Sequence, residues 1–329
     1  MKKILITRDL PEIASNILVN EGFDVTAWNE ERPLTQGELI EKTMRNDALL
    51  SLITDKIDAE FLHLCKHLEF ISQCGAGYDN IDLVTATKLG IPVANTPDAM
   101  SQATADIAFG LMIAVSRKMF YMHKSISNGQ WGYFKPKANL GMELRGKTLG
   151  IFGLGRIGVE MALRSKKAFD MNIIYCNRNP NVEAEKKLGA RYVSFQDLLR
   201  LSDVLSVHSM LSKETAGIFN QAAFEKMKSN VIFINTARGL IHNEQDLTEA
   251  LKSGRIWGAG LDVTNPEPMD PSSPLLFMEN VAVLPHIGSA TVEARTAMAR
   301  SAAENMVVFF KSRQVAHLLN PAALLVKKI

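Results

Sequence analysis

The 329 residues are 47% apolar and 22% charged with a formal net charge of +2, proportions that exclude fibrous, low-complexity and disordered classes. The length suits two domains of moderate size, and the basic residues are scattered instead of forming a stripe that could track phosphates, so nucleic acid is not an expected partner. Three cysteines, Cys65, Cys74 and Cys176, lack paired spacing, which argues against a disulfide framework and for a reducing, cytoplasmic setting.

Short runs rich in Ile, Val and Leu fall at residues 3–6, 48–53, 69–73, 148–152, 172–175, 203–207, 231–234 and 281–284, with longer helix-compatible segments between them. Parallel strands need crossovers of that length, so the alternation predicts an α/β fold built on parallel sheets. Residues 1–7 read as a buried strand, because the apolar run is too short for a signal peptide and no small-residue cleavage site follows. No stretch reaches the roughly 20 apolar residues of a membrane span. His63, Cys65 and His67 bring two imidazoles about one helical turn apart, but no acid completes a ligand set, so an ordinary helix face is expected and no metal. Cys74, before Gly75-Ala76-Gly77, reads as a small core residue in preference to a nucleophile.

Two long helical segments, 101–118 and 289–311, read as spines joining domains, and a complete nucleotide-binding unit lies between them. Residues 1–100 and 288–329 are therefore expected to form one discontinuous domain and 101–287 the other. The cleft between two domains is the default place for a ligand.

The strand expected at 147–152 runs into Gly153-Leu154-Gly155-Arg156-Ile157-Gly158, and 159–169 has helix-forming composition. That order suits a dinucleotide: Gly153 permits a tight turn, Gly155 lets a pyrophosphate approach the backbone, and Gly158 lets helix and strand pack closely. The anion then sits on the helix N-terminus. A glycine turn in an unrelated α/β protein is the rival reading, and the strand–turn–helix context weighs against it. Just upstream, residues 141–148 spell the phosphate-loop pattern GxxxxGK[ST], but Lys147 and Thr148 begin a strand where that loop opens a helix, so ATP hydrolysis is not predicted.

About 20 residues beyond the last glycine, where an NAD enzyme presents an acid to the ribose 2′-hydroxyl, the chain reads Asn177-Arg178. A neutral Asn beside a charged donor tilts the expectation toward NADP(H) over NAD(H). With Arg178 as a solvated surface charge, NAD(H) would serve equally well.

Three segments then follow strand-like runs: Ile234-Asn235-Thr236-Ala237-Arg238-Gly239, Leu261-Asp262-Val263-Thr264-Asn265-Pro266-Glu267-Pro268, and Leu284-Pro285-His286-Ile287-Gly288-Ser289-Ala290. In an open α/β sheet such positions lie at the carboxyl edges of strands, where ligands bind. Reduction of a 2-keto acid needs a cation for the carboxylate or carbonyl and an acid for the developing alkoxide. Arg238 offers a planar fork, and a Glu267–His286 pair suits proton donation. Singly each has a duller explanation: a strand-end cap, a solvated acid in a Pro-rich loop, a structural histidine. Together, after a dinucleotide motif, they read as a catalytic set. No GxSxG elbow occurs, so serine hydrolase chemistry lacks its starting point.

These residues, with Gly75-Ala76-Gly77-Tyr78-Asp79-Asn80-Ile81-Asp82, the Leu144 to Gly158 run, Gly260-Leu-Asp-Val and Pro266-Glu-Pro268, give a chain that resembles the D-isomer-specific 2-hydroxyacid dehydrogenases, most of all the glyoxylate and hydroxypyruvate reductases, over nearly its whole length. The resemblance implies a doubly wound Rossmann cofactor domain inserted into a flavodoxin-like substrate domain, and a homodimer. It makes His286 the general acid, Glu267 its partner and Arg238 the substrate clamp. Amides of Ala76 and Gly77 would hold the substrate carboxylate, with Ser289 nearby. For the cofactor it implies phosphate contacts from Thr104, Leu154, Gly155, Arg156 and Ile157, and Asp262 on the nicotinamide amide. Thr236, Ala237, His286 and Gly288 complete the expected cofactor contacts. Two features depart from relatives: His208-Ser209-Met210-Leu211 replaces a loop that usually carries a proline, and Trp131 and Phe134 lie where some reductases reach a partner's pocket, although two core aromatics would look the same. Rivals are another family activity, such as D-lactate, phosphoglycerate or phosphite oxidation, and a dinucleotide-sensing corepressor of the same fold.

Overall fold

The structure, a computed structural model, describes residues 1–326. It divides into two compact units, one made of residues 1–100 with the chain from 290 onward, the other of residues 101–289.

In the first unit the expected apolar runs form β1 (Lys3–Ile6), β3 (Ala48–Ser51) and β4 (Phe70–Gln73), joined by β2 (Asp24–Ala27) and β5 (Val93–Ala94). All pairings are parallel, in the order β2-β1-β3-β4-β5. The helix Val292–Ser312 lies against this sheet through Met298, Ala299, Ala302, Ala303 and Met306, small or flexible side chains that allow close approach. Phe309 stacks on Phe70 at 4.1 Å between centroids. The helix starts at its cap, Thr291, whose hydroxyl accepts the Ala294 amide at 3.0 Å, slightly later than the composition suggested.

The second unit holds β6 (Thr148–Phe152), β7 (Asn172–Cys176), β8 (Arg191–Tyr192), β9 (Val204–Val207), β10 (Ile232–Asn235), β11 (Gly258–Leu261) and β12 (Val281–Val283). They make one parallel sheet in the order β12-β11-β10-β9-β6-β7-β8. Two Rossmann-like sheets are therefore present, as expected. The strand order reverses between β6 and β9, and such a switch point opens a crevice at the carboxyl ends of the strands.

Three strands escaped the sequence reading, and a fourth, β11, was marked only as the strand-like run ahead of Asp262. β5 and β8 have two residues each, and β2 alternates exposed and half-buried positions at a sheet edge. β11 reads Gly-Ala-Gly-Leu, without the β-branched residues that mark a strand. Its glycines have a packing reason: a Cβ on Gly258 would stand 2.7 Å from Val115 Cγ1, and one on Gly260 2.9 Å from Leu111 Cβ. The helix Ser101–Ser116 thus lies directly on that strand. It ends before Lys118, which takes a left-handed conformation ahead of a second helix, Met119–Ser127. At the accidental phosphate-loop match, Gly146 turns at φ +69° and β6 follows, its first amide donating to Asp203 at 2.9 Å.

Candidate active site

The glycine turn follows β6 directly. Gly153 has φ +98°, and a Cβ there would meet Ser209 N at 2.6 Å and His208 C at 2.8 Å. A Cβ on Gly158 would meet Gly153 O at 2.6 Å, whereas one on Gly155 would meet nothing within 4 Å. Gly153 and Gly158 thus serve the protein's own packing, and Gly155 leaves open space beside the N-terminus of the helix Arg156–Phe169.

The Leu154 amide donates to Asn177 Oδ1 at 2.6 Å, and Asn181 Nδ2 donates to the Leu154 carbonyl at 2.9 Å. Asn177 was expected to face a ribose, but its side-chain oxygen is engaged in holding the glycine turn. Asn181 escaped the sequence reading because its visible signal is that of a helix cap, a role it also fills for Ala184 at 3.1 Å. Arg178 stands exposed beside Asn177. Its field, after the Ser212 hydroxyl, helps keep the Glu214 carboxyl below the usual range.

Register carries the other candidates to one edge. Asn235 pairs with Leu261 and Leu261 with Val283, so the Arg238, Glu267 and His286 segments leave three adjacent strands at the same rim. A Cβ on Gly239 would collide with the Thr264 carbonyl, which places the Arg238 turn against the loop that carries Glu267. Arg238 is half-buried, and its Nη1 donates to the Ala237 carbonyl at 2.6 Å. His286 Nδ1 lies 2.5 Å from Glu267 Oε1.

His286 has φ +53°, a left-handed conformation that an L-residue with a ring adopts only under constraint. Asp262 supplies it. Its carbonyl accepts the His286 amide at 2.9 Å, and its two carboxylate oxygens accept the Ile287 and Gly288 amides at 2.8 Å each. Burial pushes the Asp262 pKa up, against the pull of those two amides and of His286. The resemblance directs Asp262 to a nicotinamide amide; here both carboxylate oxygens already organise the His286 turn. Gly288 is a glycine because a Cβ would stand 2.9 Å from Asp262 Oδ2 and 3.2 Å from Thr104 Cγ2.

The residues fit a dinucleotide on structural grounds. Besides the open space at Gly155, the Ser209 and Thr236 hydroxyls are buried without a protein partner at the carboxyl edges of β9 and β10, where a polar ligand would satisfy them. His208 is a structural neighbour: its Nε2 lies 2.8 Å from Ser206 Oγ, and burial pushes its pKa down to about 3.

In the other unit, Ala76 and Gly77 follow β4. Asn95 Nδ2 donates to the Ala76 carbonyl at 2.7 Å and Gln73 Nε2 to the Gly77 carbonyl at 3.4 Å. Cys74 is buried, its thiol pushed up to about 12, in keeping with a core residue. The helix Ala59–Leu64 ends before His67, whose Nε2 contacts the Thr43 and Asn46 carbonyls. No group of three His, Cys, Asp or Glu suited to a metal occurs among the described residues. Nor is any helix among them long and apolar enough to cross a membrane. Trp131 and Phe134 are not core aromatics, being 74% and 85% exposed.

Residues 109–288 match the family described as D-isomer specific 2-hydroxyacid dehydrogenase, NAD binding domain. Over 322 residues the chain is 42% identical to a glyoxylate reductase of Thermococcus litoralis, covering 97% of this chain and 96% of the relative. A crystal structure of a glyoxylate reductase from Paecilomyes thermophila superposes with a TM-score of 0.87 at 34% identity, over 97% of this chain and 98% of that one. An NADPH-dependent glyoxylate/hydroxypyruvate reductase from Sinorhizobium meliloti, in complex with NADP and malonate, superposes with a TM-score of 0.85 at 28% identity, over 98% and 97% of the two chains.

Proposed function

Since this chain belongs to the D-isomer-specific 2-hydroxyacid dehydrogenases, we propose that it reduces glyoxylate or hydroxypyruvate to the corresponding 2-hydroxy acid, with NADP(H) favoured over NAD(H). The observation that carries this reading is the 2.5 Å pair of His286 and Glu267 at the sheet edge shared with the Arg238 turn.

A dinucleotide with its pyrophosphate held at the glycine turn would supply the hydride from its dihydronicotinamide ring. Everything else falls to the chain's own side chains. Because Nδ1 of His286 faces Glu267, Nε2 is the ring nitrogen left to give a proton to the substrate oxygen as C2 is reduced, and to take it back in the reverse direction. The Arg238 guanidinium clamps carboxylate and carbonyl oxygens through its planar fork. Asp262 keeps the His286 turn in its constrained form. Amides of Arg156 and Ile157, with the Thr104 hydroxyl, take the phosphates, the Leu154 and Gly155 amides being engaged by Asn177 Oδ1 and the Gly153 carbonyl, and Thr236, Ala237 and Gly288 line the rest. Ala76, Gly77 and Ser289 belong to the same proposal as anchors of the substrate carboxylate.

The coenzyme preference rests on Arg178, the charged donor beside an Asn177 already engaged with the turn, and on the NADP carried by the Sinorhizobium meliloti relative. A homodimer is part of the reading, to be measured by sedimentation. The deciding assay follows NADPH and NADH consumption with glyoxylate, hydroxypyruvate and pyruvate. Turnover of the first two with either coenzyme supports the reaction, and no consumption with any of the three refutes it. A higher kcat/KM for NADH than for NADPH ends the coenzyme proposal alone.

A further inference from the structure

Two polar contacts that the reaction above does not use hold the Arg238 turn and the Glu267 loop from neighbouring residues: a buried one through His242 and a partly exposed one through Glu244. Asn235, fully buried at the end of β10, accepts the Ala237 amide on Oδ1 at 2.9 Å, which identifies the other end of its side chain as the nitrogen. That Nδ2 donates to the Arg238 carbonyl at 2.8 Å and to His242 Nδ1 at 3.0 Å. With Nδ1 accepting, the proton of a neutral imidazole sits on Nε2. This nitrogen is buried, makes no hydrogen bond and lies 4.0 Å from Glu244 Oε2. The same Glu244 oxygen accepts the Asn265 amide at 2.7 Å, two residues before Glu267.

Neither residue is accounted for by its local surroundings. Glu244 opens the helix Glu244–Lys252, where a first-turn acid ordinarily serves the helix's own amides, yet it reaches across to another loop. His242 is 1% exposed and packs edge-on to Phe233 at 5.8 Å, a place where an apolar side chain would carry no desolvation cost. Burial pushes its pKa down to about 4, so the ring remains a neutral acceptor near neutral pH.

We propose that His242 and Glu244 are positioning residues of the reduction site, holding the Arg238 turn and the Glu267 loop in one fixed relation. The proposal rests on the reaction of the preceding subsection. His242 occupies the second N–H of Asn235, so that the amide cannot rotate away from the Arg238 carbonyl. Glu244 ties Asn265, and through it the strand-to-loop exit that presents Glu267 to His286.

The test pairs His242→Val, which removes the acceptor, with His242→Asn, whose side-chain oxygen can stand where Nδ1 stands. With glyoxylate and a saturating coenzyme, H242V is expected to lower kcat/KM at least fivefold while the dissociation constant for NADPH stays within twofold of the parent's. H242N should return to within twofold of the parent on both. Parental kinetics in H242V, or H242N no better than H242V when both melt cooperatively near the parent's temperature, would overturn the proposal. A second arm needs no substrate. Backbone amide exchange should quicken at least tenfold at Ala237 in H242V and at Asn265 in Glu244→Ala, and unchanged protection at both would also overturn it. A parent that reduces none of the 2-keto acids fails the reaction, and the exchange arm then decides the linkage by itself.

Discussion

His286 occupies a left-handed conformation that costs roughly 1–2 kcal/mol for an L-residue, and three hydrogen bonds to Asp262 hold it there. The constrained backbone and the 2.5 Å contact with Glu267 together aim one ring nitrogen away from the carboxylate. Removing the ring by His286→Ala should lower kcat by about two to four orders of magnitude, the usual range for general acid–base catalysis, with NADPH affinity little changed; steady-state kinetics and a fluorescence titration read the two quantities, and parental turnover would refute the role. Asp262→Ala leaves the Ile287 and Gly288 amides without their acceptors in a buried place, so a loss of about 1–3 kcal/mol in unfolding free energy is expected, accompanied by reduced kcat. Arg238, Glu267 and His286 were legible because a cation, an acid and an imidazole each followed a strand-like run. The task of Asp262 was not, since a carboxylate directed at backbone amides 25 and 26 residues away looks the same, residue by residue, as one directed at a ligand.

Among the elements, the strand–turn–helix around Gly153 separates two functions of glycine. Gly153→Ala combines φ +98° with a Cβ 2.6 Å from Ser209 N, so it should destabilise the fold by about 1–3 kcal/mol. Gly155→Ala meets nothing within 4 Å and should melt within a degree or two of the parent, yet lose NADPH affinity at least tenfold because the new methyl group occupies the pyrophosphate's approach. Calorimetry and coenzyme titration distinguish the two, and parental affinity in the Gly155 variant would remove it from the site. The short apolar runs became β1, β3, β4, β6, β7, β9, β10 and β12 because a strand buried on both faces is apolar throughout. β11 was the weakest of the strand-like runs for the opposite reason: the close approach of the helix Ser101–Ser116 selects glycine, and glycine dilutes the strand signal.

At the scale of the molecule, two buried neutral histidines set an acid limit. The folded-state pKa of His208 is pushed down to about 3 and that of His242 to about 4, from an ordinary 6.5. Depressed values mean that the unfolded chain binds these protons first, so their contribution is complete above pH 6.5 and is lost as pH falls through 4 and 3. Each ring then costs up to about 1.4 kcal/mol per pH unit in that window. Asp262 and Glu244, raised by burial, act in the opposite sense as pH rises through their own values. Urea midpoints should therefore decline between pH 7 and pH 5, with a shallower decline in His242→Asn; equal slopes in parent and variant would contradict the assignment. Residues 101–289 are continuous in the chain and carry their own core, so that segment expressed alone should unfold cooperatively and bind NADPH, whereas a non-cooperative melt would show that it depends on the rest. Sequence alone determined the alternation of strands and crossovers, the glycine turn and the choice of Arg238, Glu267 and His286 as candidates, because hydrophobic periodicity and short-range turn chemistry are local properties of a chain. Only the tertiary structure decided which polar groups are consumed by the fold, such as Asn177 on Leu154, Asp262 on Ile287 and Gly288, and Asn235 on His242. Those bonds join segments whose separation in sequence carries no trace of their contact, and burial obliges every such group to find a partner wherever the packing brings one.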